Sequence, residues 1–391
     1  MNSEDIITWC DETLPELYDE GMFDSEEISE DVWASVETAL TLLDDLSDED
    51  HEQLLDAAAT WFQTNHDLIL EAIEPLPQKQ IKAMITKPQT TQHSADWYNE
   101  RRNRLTASEF AQILDGRRSA LLRQKISQIP GDRVGMSAPI GICQEDGEMN
   151  ATTWGHRFEP VTRRIYELEV AGVGTVCDTL GRFTHPTTQW LSASPDGVVL
   201  KGKRTGRLVE IKSPKTRQPG DFVPQEYYIQ MQIQMEVCDL DVVDFIEAQF
   251  AQRPVAAFTA SEADQAACKK AQWKGRIEVR GYLEDSSTWS YRYTEPVEDL
   301  EDAIFVDLKT TEYLPLLESS VWWLTGFYPR TVLRNKTWWD TIGWPNAQLF
   351  WAEVQSLRDQ QITSPPLSAQ AGDLDTIEHI EGPRGWLGSS Y

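Results

Sequence analysis

Apolar positions recur at helical spacing through the first eighty residues. Val32, Val36, Ala39, Leu42 and Leu43 stand among acids, and Leu54, Leu55, Ala58, Phe62 and Ile69 repeat the pattern within Glu52–Ile73. This predicts an acidic helical N-terminal unit with a solvated outer face. Pro75-Leu76-Pro77 and Lys87-Pro88-Gln89-Thr90-Thr91 then read as a linker. From 95 to 250 helical and strand patterns alternate, as in an α/β or α+β core. Helices are expected from Thr106-Ala107-Ser108-Glu109 onward, with Thr106 or Ser108 as the cap, over Thr152–Val170, and over Gln225–Cys238. Strands are expected over Gly181–Leu200, Arg207–Lys212 and Val242–Phe250, and residues 130–150, rich in Gly, Pro and Ser, as a mobile loop. Further on, Ala260–Glu278 and Val297–Leu317 look helical. They lead to a tryptophan-rich region (Trp322, Trp323, Trp338, Trp339, Trp344, Trp351) that reads as the packing of a helical cap, with a base-stacking surface as the alternative. This gives four segments: an acidic helical unit and linker at 1–90, a core at 91–295, a helical Trp-rich extension at 296–365, and a disordered tail at 366–391.

Charge sharpens the division. The formal net charge of the 391-residue chain is −29, and residues 1–80 hold 23 acids against one base, Lys79. The stretch 81–250 is balanced, with 21 bases and 21 acids. So acidic a chain does not coat nucleic acid broadly, but the middle segment can carry a local basic groove. The N-terminal unit reads as a plain helical domain or, alternatively, as a DNA-mimicking or partner-docking module. Five scattered cysteines (Cys10, Cys143, Cys177, Cys238, Cys268) show no CxxC spacing, so free thiols are expected rather than a zinc site or a disulfide framework. The acidic N-terminus does not resemble a secretory signal, and no apolar run reaches the ~18–20 residues of a membrane span. A soluble, intracellular protein is expected.

The chemistry concentrates in Ser194-Pro195-Asp196-Gly197 and Val209-Glu210-Ile211-Lys212. On a strand, Glu210 and Lys212 project to one face while Val209 and Ile211 face the other. Two charges on a buried strand are costly unless something pairs with them. Pro and Gly force a turn at Asp196, and an antiparallel return would set Asp196 beside Glu210. Two carboxylates and the Ile211 carbonyl make an oxygen-rich site suited to Mg²⁺ or Mn²⁺. The plainer readings are an exposed Glu/Lys pair and a simple turn residue. Glu159, on the helix predicted from Thr152, is either a third carboxylate for the metal or the partner of Arg163 one turn on. Gln230, among apolar residues, can orient a water or the Lys212 amine, or sit on a half-exposed helix. Arg101, Arg102 and Arg104 precede a helix start carrying Thr106 and Ser108, a combination that binds phosphate or else forms a solvated basic face.

Five pieces recur in order: Trp97…Arg101…Leu105-Thr106-Ala107-Ser108-Glu109; Trp154-Gly155…Glu159; Ser192-Ala193-Ser194-Pro195-Asp196-Gly197; Glu210-Ile211-Lys212-Ser213-Pro214; and Tyr227-Tyr228-Ile229-Gln230-Met231-Gln232. With these the chain resembles the lambda-exonuclease or YqaJ-type viral recombinase family of the PD-(D/E)XK nuclease superfamily, over roughly residues 95–250. The resemblance implies a restriction-endonuclease-like α/β core, a central mixed sheet flanked by helices. It implies a metal-dependent DNA exonuclease working 5′→3′ on linear duplex, with single strands left for recombination or viral genome processing. Asp196 and Glu210 would bind the metal, Glu159 would serve a second ion, and Lys212 and Gln230 would handle the attacking water. Arg101, Thr106, Ser108 and Ser194 would hold a 5′-terminal phosphate. A single-strand annealing protein as partner and a homotrimer are further implications. Alternatives are a structure-specific or restriction-like endonuclease and a catalytically inactive DNA-binding or scaffold protein.

Overall fold

The computed structural model describes residues 23–24, 27–28, 36, 40, 47, 50–60, 75–92, 94–127, 149–219, 223–283, 288–305 and 315–363. Residues 50–60 are helical, as expected; most of the acidic unit, the loop expected at 130–148, the tail at 366–391, Cys10 and Cys143 lie outside the described residues.

Apart from a two-residue pairing of Phe23–Asp24 with Glu27–Ile28, ten strands form two sheets among these residues. They are β1 (Leu105–Thr106), β2 (Val176–Cys177), β3 (Phe183–Thr184), β4 (Leu191–Ala193), β5 (Gly197–Val199), β6 (Leu208–Lys212), β7 (Val242–Pro254), β8 (Lys274–Leu283), β9 (Thr288–Tyr293) and β10 (Glu318–Leu333). The large sheet runs β9-β8-β10-β7-β6-β5-β2 and is mixed: β6 and β7 are parallel and every other pair is antiparallel. A small sheet runs β1-β4-β3. The helices are α1 (Gln78–Ile85), α2 (Ala95–Glu100), α3 (Ala107–Leu114), α4 (Arg118–Ile126), α5 (Ala151–Tyr166), α6 (Gln225–Cys238), α7 (Val255–Ala260), α8 (Glu262–Lys270) and α9 (Trp344–Thr363).

The layering follows from the period of β6. Leu208 joins Val243 and Phe245 of β7 under Ile229, Ile233 and Val237 of α6. Val209 and Ile211 point the other way, to Ile246 and to Tyr166 of α5. Both faces of this strand are therefore covered by helices, as a parallel βαβ unit requires. Glu210 shares the α6 face with Leu208 because side chains two apart on a strand point the same way. α6 stops at Asp239, which takes a left-handed conformation (φ 55°) and closes the helix end. The fold class is thus the expected α/β core, a mixed sheet with helices on both sides.

The C-terminal half departs from the sequence reading. Ala260–Glu278 is helical only as far as Lys270; from Lys274 it is a strand of the large sheet, and Ile277 and Val279 are buried at strand spacing. Gly275 is required there, since a Cβ would lie 2.6 Å from Thr294 Oγ1 and 2.8 Å from the Trp322 ring. Among the described residues of 297–317 only the turn Leu300–Asp302 is helical. The segment serves the sheet edge instead: Val297 pairs with Lys274, and Leu317 N–H donates to Val279 O at 2.8 Å. Trp322 and Trp323 lie on β10, where neighbours point to opposite faces. Trp322 packs with Phe158 and Phe250, and Trp323 with Cys268 and Val321. Helical periodicity was the wrong template for this run of aromatic and β-branched residues. Trp339, Trp344 and Trp351 do pack a helical cap: the Trp190 ring lies between Trp344 (centroids 6.0 Å) and Trp351 (5.3 Å). Trp322, Trp323, Trp339 and Trp351 are buried, so these side chains pack as expected, but Trp322 and Trp323 do so on a sheet and not in a helical cap.

Candidate nuclease site

The turn before β5 places Asp196. Asp196 N–H donates to Val209 O at 3.1 Å, and Asp196 Oδ2 accepts from Ile211 N–H at 2.8 Å. The antiparallel pairing of Gly197 with Val209 thereby brings this carboxylate next to the Glu210–Lys212 strand. The tightness explains the glycine, since a Cβ at Gly197 would lie 2.8 Å from Val176 Cγ1 and 3.2 Å from Cys177 O.

Glu210 is buried, and its carboxylate accepts three hydrogen bonds. Oε1 accepts from Lys212 Nζ and from Gln230 Nε2 at 2.7 Å, and Oε2 accepts from Gln234 Nε2 at 2.6 Å. Gln230 and Gln234 are four apart on α6, so both amides face the strand from one side of the helix. Lys212 Nζ also lies 4.9 Å from the Tyr227 ring centroid. Burial opposes its charge, yet the Glu210 and Asp196 carboxylates hold the ammonium above its usual range. Burial and then the Glu210 and Glu159 carboxylates push Asp196 well above the usual carboxylate range. Glu159, on α5, is raised by burial and then by Glu210. The Glu159–Arg163 pair considered from the sequence does not form, because Arg163 pairs with Asp178. Glu159, Asp196, Glu210, Lys212 and Gln230, spread over 72 positions, are thus brought into one neighbourhood.

Whether this neighbourhood suits a divalent ion can be judged from its donors. Hard oxygen ligands are present, and burial and neighbouring carboxylates raise the pKa of Asp196 and Glu159, an environment that favours a cation. Among the described residues no three Asp, Glu, His or Cys side chains stand close enough to hold an ion by themselves. Asp196, Glu210 and a backbone carbonyl remain, and their chemistry fits Mg²⁺ or Mn²⁺.

Beside this cluster is a cavity of about 70 Å³ lined by Trp97, Arg101, Thr106, Ala107, Ser108, Arg182, Ser194, Gln230 and Gln234, among others. It opens on the N-terminus of α3, where Thr106 and Glu109 cap each other reciprocally. All four residues expected to bind phosphate line it. Trp97 Nε1 donates to Ser194 Oγ at 3.1 Å, tying α2 to the Asp196 turn. Glu109 is buried and accepts from Arg101 Nη2 at 3.0 Å, Lys125 Nζ at 2.8 Å and Thr106 Oγ1 at 2.7 Å. Burial opposes its ionisation, but Lys125 and Arg101 bring its pKa down to about 2. The sequence reading missed Arg182 and Gln234. The signals were a lone cation between apolar Leu180 and Phe183, and a second glutamine one helical turn after Gln230.

A buried acid–lysine cluster thus stands beside a cavity lined by two guanidiniums and the N-terminus of α3, on an α/β sheet. Residues 96–241 match the model of the YqaJ-like viral recombinase domain. An uncharacterized protein of Acanthamoeba polyphaga mimivirus is 27% identical over 176 residues, 41% of this chain and 30% of that protein's length. An alkaline exonuclease from Laribacter hongkongensis is 20% identical and superposes over 68% of this chain and 95% of its own with a TM-score of 0.38. A phage-related exonuclease from Haemophilus somnus 129PT is 12% identical over 66% of this chain and 95% of its own, with a TM-score of 0.32. Among the described residues no helix is long and apolar enough to cross a membrane.

Proposed function

We propose that the chain is a metal-dependent DNA exonuclease that degrades linear duplex from a 5′-phosphorylated end, leaving single-stranded DNA for recombination or viral genome processing. The observation that carries this reading is the adjacency of two sites. Gln230 and Gln234 line the cavity and also hold both oxygens of Glu210. A phosphate held by Arg101, Thr106, Ser108 and Ser194 therefore sits one side chain away from the acid–lysine cluster.

Asp196, Glu210 and the Ile211 carbonyl are the residues that would hold Mg²⁺ or Mn²⁺, with Glu159 toward a second ion. Such an ion, when bound, polarises the scissile phosphate and lowers the pKa of water. Lys212 stays protonated between Glu210 and Asp196 and places positive charge where negative charge builds in the transition state. Gln230 and Gln234 fix the rotamer of Glu210. The cavity sets register, since a phosphate lodged there positions the next phosphodiester against the cluster. Intracellular action on viral or recombining DNA, an annealing protein as recipient of the single strand, and a trimeric assembly belong to the same proposal.

The test compares 5′-phosphorylated linear duplex, 5′-hydroxyl linear duplex and closed circular DNA, each with Mg²⁺ and with EDTA. Metal-dependent loss of the phosphorylated linear DNA ahead of the other two is expected. Equal digestion of the closed circle would overturn the exonuclease reading in favour of an endonuclease.

A further inference from the structure

Two guanidiniums and no carboxylate line the cavity. They are not equivalent. Arg101 Nη2 is committed to Glu109 at 3.0 Å. Arg182, whose side chain is only 1% exposed, donates from Nη1 to Trp97 O at 2.7 Å and to Glu100 at 3.4 Å. Its Nε and Nη2 have no hydrogen-bond partner among the described residues. Both guanidiniums lie over the Trp97 ring, Arg101 at 5.4 Å and Arg182 at 4.6 Å from its centroid. A buried cation with two empty donors is costly unless an anion completes it. The planar fork of arginine matches two phosphate oxygens at once. A cavity of about 70 Å³ has room for a phosphate group. It therefore suits the monoester phosphate at a chain end, whereas an internal diester would have to bring in the nucleosides on both sides.

From this geometry we infer that Arg182 is a specificity-determining residue, the one whose free N–H groups read the terminal phosphate monoester, with Arg101, hydrogen-bonded to Glu109, as a second cation of the cavity. The inference rests on the end-recognition reading above. It also accounts for the placing of Arg182 at the bridge between Arg182 and Thr90, where Arg182 N–H donates to Thr90 O at 2.8 Å. That backbone anchor fixes the start of the side chain, and Trp97 fixes its end.

The experiment measures kcat and KM with Mg²⁺ on 5′-phosphorylated and 5′-hydroxyl linear duplex for wild type, Arg182→Lys and Arg182→Gln. Each variant is checked by thermal melting. Lysine keeps the charge without the fork, and glutamine keeps an N–H for the Trp97 carbonyl without the charge, so either variant that folds carries the test. The expected result is a wild-type preference for the phosphorylated end that falls at least about tenfold in the variants, through KM on that substrate, as loss of a charge-assisted hydrogen bond implies. A variant that folds and keeps the wild-type preference overturns the assignment of Arg182 and leaves end recognition standing. A wild type with no preference overturns end recognition, and the assignment with it.

Discussion

Replacing Glu109 with glutamine removes one charge from beneath the cavity while keeping the side chain's size. Glu109 is 3% exposed, and its partner Lys125 is 1% exposed, so neither is screened by water. Lowering a carboxyl from 4.5 to about 2 corresponds to about 3 kcal/mol of preference for the ionised form in the fold. Part of this is given back at Lys125, whose ammonium burial holds below its usual range despite Glu109. Breaking a buried pair from one side costs about 3–5 kcal/mol, and the glutamine can still accept one bond, so a loss of about 2–4 kcal/mol is expected for Glu109→Gln at pH 7. The pH dependence has a definite sign. A carboxyl whose folded pKa is depressed adds stability that is present above 4.5 and is lost as pH falls toward about 2. Urea unfolding followed by tryptophan fluorescence at pH 7, 5 and 3 should show the wild type losing more stability over this window than Glu109→Gln does. Parallel acid limbs, or a loss under about 0.5 kcal/mol at pH 7, the size of an ordinary surface change, would refute the reasoning.

Asp196→Asn removes one of three mutually repelling acids while the amide oxygen can still accept from Ile211 N–H. The metal-free variant should unfold about 1 kcal/mol less readily than wild type, as relief of functional-site strain does, and lose metal-dependent hydrolysis. Because burial and neighbouring carboxylates raise Asp196 and Glu159, the proton-linked stability of the metal-free fold is lost as pH rises through their raised values. Thermal stabilisation by Mg²⁺ should therefore grow with pH above the usual carboxylate range, and a pH-independent Mg²⁺ effect would contradict this. Arg358 donates to Arg102 O at 2.6 Å, to Lys125 O at 2.5 Å and to Asn103 Oδ1 at 3.1 Å, clamping α9 onto the turn that carries Arg101. Arg358→Ala should cost about 1–3 kcal/mol by urea unfolding, and a change within about 0.5 kcal/mol would contradict the clamp. Gly197→Ala should cost about 1–3 kcal/mol by overpacking against Val176 and Cys177, again read by urea unfolding; a stable alanine variant would mean that the Asp196 turn is looser than described.

What was legible in the sequence is what local chemistry dictates. α6 was readable because its apolar face and the end at Cys238 agree, and the start of α3 was readable to within Thr106 or Ser108, the reciprocal bonds of Thr106 and Glu109 deciding for Thr106. The pairing of Asp196 with Glu210 followed from a Pro-Gly turn and a strand of period two. Arg182 was not legible, because its value lies in contacts with Trp97 and Glu100, more than eighty residues earlier in the chain. The β8 and β10 strands were hidden for a related reason: Trp322 and Trp323 serve opposite faces of one sheet, and only non-local pairing distinguishes that from two neighbours on a helix.

The central claim is that Lys212, held between Glu210 and Asp196, stabilises the transition state of phosphodiester hydrolysis. Release of mononucleotides from 5′-phosphorylated linear duplex under single-turnover conditions, with duplex affinity measured in parallel, tests it most directly. Lys212→Ala should bind duplex within a few-fold of wild type and cleave at least about 10²-fold more slowly, the scale of losing one electrostatic donor. Cleavage within about threefold of wild type, less than about 1 kcal/mol of barrier, would contradict the account.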